Sequence, residues 1–586
     1  MLKKDTVRWG LLFVLLLLGI SFAYNYHSIL FERPYSTHQW RQCDCLSITL
    51  NYYKEGMHFF TPVTHWCGPN GDGKVSTSEC PIIYYTVACL WQIFGYHEFI
   101  YRLVVILISF AGLFYLYKLT YELLSDRLLA IMVSLFLFAS PIFAFYANNF
   151  ILDLPALSFA IIAWYFFVRF IKIQANKQLY ISVLFFTLAG LTKLSALIAF
   201  APILLLFPIE MLGLLKLNNG NKIFNSPLKQ GMPFLAALVV IAAWTLYVVH
   251  YNSRVDIRVF STQIFPIWHM NSAYKGRVFT SFYSDLLPQF YSLPALITIL
   301  AMFATITVLW KKANSLLLFS AICIFSGVIA YIILWFQVLD VHDYYLINLL
   351  ILVPFIIITF LHYLKNNHTR FFSSITLKIL FGVFLAFNIY YTAIENRAKY
   401  PADDGSQVSS GFILRQKTVD MWNWFHGDYN LYLRPYETIE DYNRSLGIKR
   451  EDKVISIPDN SVNISLYLMD QKGFTDYYYP TMPDLPRLKQ YILLGAKYLF
   501  INDSDLLHKD WIKPYITHPF GAYRGISIYN LQTPDIIPEV IKDTKRYIRS
   551  DSNWISNIRT KALAKHISVD SMLTLDAIWT IKTAKK

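Results

Sequence analysis

The sequence predicts an α-helical, multi-pass membrane protein that carries a C-terminal water-soluble α/β domain. Three observations predict this. Hydrophobic residues make up 55% of the 586 residues, charged residues only 15%, and mean hydropathy is +0.39; a soluble domain carries about 25% charged residues. The apolar residues come in blocks long enough to cross a hydrocarbon layer, which takes about 20 residues per helix. The positive charges gather in alternate turns between those blocks.

The first block, 9–24, follows Lys3, Lys4 and Arg8. A secretory leader has this shape, but no small-residue cleavage site follows and many further spans come after. It therefore reads as an uncleaved first helix. Ten more spans fall at 99–117, 128–147, 151–169, 179–192, 194–214, 232–251, 290–310, 315–336, 344–364 and 374–393, about eleven in all. With the N-terminus inside, the inside turns carry Lys118 and Arg127; Lys172 and Lys177; Lys216, Lys222 and Lys229; Lys311 and Lys312; and Lys365, Arg370 and Lys378. The short outside turns 148–150 and 337–343 carry neither Lys nor Arg. The stretch 179–214 reads as a hairpin with its apex at Leu191-Thr192-Lys193, because a single long span would reverse the charge pattern downstream. Orientation thus accounts for much of the net charge of +14. No basic run interleaved with aromatics is present, so nucleic acid is not an expected partner.

This topology puts three long segments outside: 25–98, 252–289 and the tail from about 394. It also implies two domains, a membrane domain over 1–395 and an outer α/β domain over 396–586. In the tail, 452–457 and 495–501 read as short buried strands, and 485–494 has helical periodicity between them. Strands alternating with helices suggest a small α/β domain. It shows no nucleophile or metal constellation, so an accessory role is expected.

Five of the six cysteines (43, 45, 67, 80 and 89) lie in or beside the first outside segment, where an oxidising compartment permits disulfides. A Cys67–Cys80 bridge would staple the Gly-rich stretch between them, though spacing does not fix connectivity. Asn70, Asp72 and Glu79 within 68–79 resemble a calcium loop, but Gly68 stands where the first ligand belongs.

Acidic groups at the ends of membrane helices are costly and suggest function unless paired. Asp153 follows Asn148-Asn149-Phe150-Ile151-Leu152 where the chain re-enters the bilayer; a helix cap with Pro155 in the first turn is the alternative reading. Asp44 lies in His38-Gln39-Trp40-Arg41-Gln42-Cys43-Asp44, with pairing to Arg41 as its alternative. Glu79 stands just before Cys80-Pro81. Three carboxylates on one face could supply a general base and hold a divalent cation. Arg41, Arg102, Lys193 and His342 would share that face, and cations at headgroup level suit a phosphate-bearing lipid.

The order of these motifs carries a resemblance. An acidic first segment is followed by Glu79-Cys80-Pro81, Trp91-Gln92-Ile93-Phe94-Gly95 and Arg102. After these come Asp153 on a short turn, Gly190-Leu191-Thr192-Lys193, and His342-Asp343-Tyr344-Tyr345-Leu346 with Pro354. Over about 1–395 the chain resembles the GT-C superfamily of membrane glycosyltransferases, nearest the branch of protein O-mannosyltransferases and the bacterial aminoarabinose transferase of lipid A. The resemblance implies an enzyme of the bacterial cytoplasmic membrane that takes a sugar from a polyprenyl-phosphate carrier. The sugar would pass to a lipid, polysaccharide or protein acceptor on the outer face. It implies Asp44 as general base, Glu79 as the acid before the family's Lys-Pro-Pro segment, and Asp153 as a metal- or donor-binding acid. Arg41, Arg102, Lys193, His342 and Tyr345 would meet the donor phosphate. The chain departs from the pattern in two places. Arg41-Gln42-Cys43-Asp44 replaces the usual Asp-Glu pair, and Cys80 stands where the Lys of Lys-Pro-Pro is expected.

A single displacement at the anomeric carbon, with inversion, is the expected reaction. The donor is already activated, and the sequence holds neither a Gly-x-Gly-x-x-Gly fingerprint nor a P-loop. A flippase for lipid-linked glycans would place ionisable residues at mid-span and show paired repeats. Neither is visible. An oligosaccharide ligase and a non-catalytic membrane scaffold are the remaining alternatives.

Overall fold

The fold was analysed in a computed structural model, which describes every residue except 1, 70, 216, 218–221, 254–259, 261–263, 402–404, 478–486, 534–535 and 585–586. Lys216 and Asn70, named above for orientation and for the calcium-like loop, lie outside the described residues. The chain is a multi-pass membrane protein. Among the described residues seven helices are long and apolar enough to cross a bilayer, and two bent pairs raise the count to nine if each is one span. The other two expected spans are present as helices at the short end of the range: the apolar stretch Val7–Ala23, and Asn176–Thr192 with 17 residues.

The expected spans 128–147 and 290–310 are not straight. Arg127–Phe138 and Pro141–Ala147 meet at 78°, and Ser272–Phe290 meets Leu293–Val308 at 89°. Each bend has a proline in the first turn of its second helix, Pro141 and Pro294. Proline lacks the N–H that would bond back into the preceding turn, so the two helices cannot be continuous there. At the expected hairpin apex, Lys193 is extended (φ −157°, ψ 124°) and ends Asn176–Thr192; a 3₁₀ turn, Leu194–Phe200, follows.

The chain divides into two compact units, and the division differs from the expected boundary at 395. One, the membrane unit, comprises Met1–His38, Ser78–Val248 and Thr262–Trp422. At its centre Asp153–Ile173 is buried along most of its length. A Cβ built on Gly112 of Glu98–Leu124 would lie 2.7 Å from the Ser158 Cβ, so only glycine lets these two helices approach so closely.

The second unit joins Gln39–Thr77 and Val249–Ser261 to the tail, Asn423–Lys586. Much of the first outside segment is therefore part of the C-terminal domain. Its sheet has five strands, β1 (Lys453–Ile457), β2 (Gly473–Phe474), β3 (Ala496–Ile501), β4 (Pro519–Tyr523) and β5 (Ile526–Asn530), in the order β2-β1-β3-β5-β4. β1 pairs parallel with β2 and β3; β5 is antiparallel to β3 and β4. The strands expected at 452–457 and 495–501 are β1 and β3. The helix between them is Arg487–Leu493, and part of the expected 485–494 lies outside the described residues.

The early segment enters this unit through specific bonds. Trp66 bridges Gly473 at the edge of β2, and the Cys67 N–H donates to the Gly473 carbonyl at 2.7 Å. Gly473 is required there, since a Cβ would fall 2.1 Å from the Val454 carbonyl oxygen. Asp470 gathers His65 Nε2 at 3.0 Å, Lys54 Nζ at 2.5 Å and Arg450 Nε at 2.8 Å. Burial alone would raise the Asp470 carboxyl, but the His65 hydrogen bond and the Arg450 and Lys54 charges hold it well below the usual carboxylate range. Burial pushes His65 down to about 4, so the ring is neutral and donates to Asp470. All six cysteines are free thiols. The expected Cys67–Cys80 bridge is not formed: the Cys67 thiol points to the His65 carbonyl at 3.8 Å, and burial pushes the Cys80 thiol up to about 12.

Candidate active site

In the membrane unit the expected site residues stand at helix starts and breaks. Asp153 is the first residue of Asp153–Ile173, with Leu152 as the N-cap, so it is not the cap suggested by its sequence context. The helix dipole favours a carboxylate in that first turn. Glu79 is held from both sides. The Ser78 carbonyl accepts from Trp244 Nε1 at 3.0 Å, and the Cys80 N–H donates to the Leu191 carbonyl at 2.9 Å. The second clamp brings Glu79 to the break that carries Lys193.

These residues meet. Lys193 Nζ lies 3.2 Å from Glu79 Oε1 and 3.2 Å from Asp153 Oδ1, and all three side chains are largely buried. The same ammonium sits 5.0 Å from the Tyr345 ring centroid and 5.6 Å from that of Tyr344, at cation–π distance. His342 packs on both tyrosines at 5.7 Å. Burial, aided by the neighbouring His38, pushes the His342 pKa down to about 3, so it is a neutral hydrogen-bonding group and not a cation.

Behind this cluster is a second polar group. Asp343 begins the 3₁₀ turn Asp343–Ile351. Its Oδ1 accepts from the Tyr146 hydroxyl at 2.5 Å and lies 3.0 Å from His38 Nε2. Lys399 is buried with its ammonium 4.3 Å from the Phe145 ring centroid. Burial lowers its pKa, and Asp343 and Glu395 offset part of that. His38 and Asp343 appear within the sequence motifs beside Asp44 and His342, but nothing there marks them as partners. For Tyr146 and Lys399 the sequence gives no signal.

Arg102 is engaged elsewhere. Fully buried, it donates to the carbonyls of Glu32, Arg33 and Asn148 at 2.5–3.3 Å and stacks 4.1 Å over Phe150. It braces the turn that precedes Asp153, which corrects the expectation that its guanidinium reaches a phosphate.

Asp44 belongs to the second unit, on the helix Gln39–Glu55. It is fully buried. Asn463 Nδ2 donates to its Oδ1 at 2.8 Å, and Arg41 Nη1 lies 3.9 Å from Oδ2. Asn463 also accepts from the Trp66 N–H at 2.8 Å, so the amide that orients Asp44 is itself oriented. Asn463 lies 419 residues from Asp44, and no local pattern announces it.

A divalent cation at Asp153 fits this arrangement poorly. Two carboxylates face each other, but each already gives one oxygen to the same ammonium. Among the described residues no group of three or more His, Cys, Asp or Glu gathers to hold a metal ion.

The fold is that of the GT-C membrane glycosyltransferases. Residues 78–253 match the family model described as dolichyl-phosphate-mannose-protein mannosyltransferase. ArnT from Cupriavidus metallidurans bound to undecaprenyl phosphate superposes with a TM-score of 0.53 at 13% identity, over 90% of this chain and 98% of that one. The arabinofuranosyltransferase AftD from Mycobacteria gives 0.52 at 12% identity, over 90% of this chain and 40% of that one. No curated protein matches the chain in sequence.

Proposed function

We propose that this GT-C-fold protein transfers a sugar from a polyprenyl-phosphate donor to an acceptor, at the outer face of a bacterial cytoplasmic membrane, with inversion at the anomeric carbon. The observation that carries this reading is the ammonium of Lys193 held between Glu79 and Asp153 under Tyr345. It fixes a cation where helix ends converge, on a fold whose solved members include one bound to undecaprenyl phosphate.

Each residue has a role. Asp44 takes the proton of the acceptor hydroxyl as its oxygen attacks the anomeric carbon. The bond from that carbon to the phosphate oxygen breaks, and polyprenyl phosphate leaves with the bonding electrons. Lys193 and Arg41 offset the charge on the leaving phosphate, with Tyr345 and neutral His342 as hydrogen-bonding neighbours. Glu79 and Asp153 hold the Lys193 ammonium in place. Lys193 offsets one of the two carboxylate charges of Glu79 and Asp153, and transfer measured with and without EDTA reads out whether a divalent cation takes part. The N-terminus is cytoplasmic and the second unit lies outside, as the positive-inside charge pattern supports.

The test is a donor panel. Purified protein and an Asp44→Asn variant are incubated with radiolabelled polyprenyl-phosphate sugars and a membrane extract. Transfer by the parent, lost in a folded Asp44→Asn protein, supports the proposal. No consumption of any donor, alongside protein-dependent movement of lipid-linked glycan across liposomes, would replace it with the flippase reading.

A further inference from the structure

The second unit contains a cavity of about 810 Å³ that takes no part in the chemistry above. It lies beyond the carboxyl ends of the parallel strands. Ile457 closes β1, and Pro458 and Asn460 follow it; Asp476 follows β2; Leu506 lies in the turn after β3. In open α/β sheets ligands collect at this edge, where the loops leaving neighbouring strands diverge. The volume falls within the range of small-molecule sites, roughly 300–1,000 Å³.

The lining is selective in its chemistry. Trp511 is 53% exposed and offers an indole face to whatever enters. Asn460 and Glu539 add an exposed amide and carboxylate. Arg487 Nη1 donates to the Asp476 carbonyl at 2.7 Å and lies 3.8 Å from its carboxylate, which fixes a donor beside an acceptor. The Lys489 ammonium is taken up by Asp543. That leaves Arg487 facing Asp476 and Glu539, so among the described lining residues there is no net positive charge to hold a phosphate. The walls are mainly apolar, with the polar groups Asn460, Asp476, Arg487 and Glu539 set among them. Burial pushes the Asp476 carboxyl up to about 6, so at neutral pH it is mainly an ionised acceptor.

An exposed aromatic face, a guanidinium and several amide or carboxylate acceptors, without net positive charge, suit one ligand class. Sugar rings present a C–H face that packs on an aromatic and hydroxyls that pair with planar polar groups. We infer that this cavity is a binding site for a neutral oligosaccharide, separate from the transfer residues. That the bound chain belongs to the acceptor rests on the transferase reading; the binding itself does not.

Full-length protein in lipid nanodiscs is titrated with maltotriose, cellotriose, mannotriose and tri-N-acetylchitotriose, followed by saturation-transfer NMR and calorimetry. At least one trisaccharide is expected to bind with Kd near or below about 1 mM. Trp511→Ala, at an exposed position, should weaken it about tenfold, and Glu539→Gln should also weaken it. Asp44→Asn should bind as the parent does. The inference is overturned if no trisaccharide binds the parent below about 20 mM. It is also overturned if Trp511→Ala and Glu539→Gln both bind unchanged. Trisaccharide binding by the parent, together with no consumption of any donor in the donor panel, would count against the transferase reading and leave this site standing.

Discussion

Replacing Lys193 by methionine tests whether its ammonium holds the membrane site together. Methionine keeps the length and apolar stem and deletes the charge. Glu79 Oε1 and Asp153 Oδ1, each 3.2 Å from the lost nitrogen, then face each other across the space it filled. Breaking a buried ion pair by removing one partner costs about 3–5 kcal/mol. Repulsion between two carboxylates about 6 Å apart, at an effective dielectric near 20, adds about 3 kcal/mol unless one of them takes up a proton. Proton uptake limits the total, so a loss of about 3–5 kcal/mol is expected. The assay is SDS-induced unfolding in dodecyl maltoside micelles, followed by circular dichroism, with transfer measured in parallel. The decisive comparison is the double variant Lys193→Met/Asp153→Asn, which removes the repulsion along with the cation. It should recover about 1.5 kcal/mol or more of the single variant's loss. A single-variant loss below about 1 kcal/mol, or a double variant weaker by the sum of its parts, would show that the three side chains do not act as a unit.

Other outcomes follow from single contacts. Asp44→Asn should cut transfer about 10²–10⁴-fold, and Asn463→Ala about tenfold; in the Asp44→Asn background Asn463→Ala should have no further effect on the residual rate. His65 has its folded pKa lowered to about 4 from 6.5, so the unfolded chain binds the proton first as pH falls. Its contribution is present above pH 6.5 and lost between 6.5 and 4, at a cost of about 3 kcal/mol to the second unit. Thermal unfolding across that window should lose its slope in His65→Gln; the Asp470 carboxylate, held low, should give a further loss only below that window. Gly112→Val should cost about 1–3 kcal/mol, read by the same micelle titration, because its Cβ would sit 2.7 Å from that of Ser158.

The membrane helices were legible because a bilayer demands long apolar blocks, and local composition states that demand directly. The bends at Pro141 and Pro294 were not, since a hydropathy window averages across a break that two residues create. In the tail, β1 and β3 stood out as short apolar runs. β2 has only two residues and exists through its pairing with Val454 and Ile455, and through the bridge from Trp66. The second unit takes in an early segment for the same reason: Gln39–Thr77 follows the first span in sequence but finds its partners hundreds of residues away. Glu79, Asp153 and Lys193 could each be singled out by charge next to an apolar block, but that one ammonium bridges both acids depends on three helix ends converging. The charge of His342 was misjudged because burial, which sequence does not report, decides its protonation.

The joining of Gln39–Thr77 to the tail has a consequence for biosynthesis. The Trp66 N–H and the Lys472 ammonium find their partners 397 and 408 residues away in the chain. The early segment emerges from the ribosome long before that partner sequence exists. It must wait, with His65 and Trp66 unburied, while every intervening helix is inserted, and contacts of such separation are slow to close. Closure of this unit therefore waits until residues 463–473 have been made. A product truncated before Asn463 would leave Asp44 without the amide that donates to it.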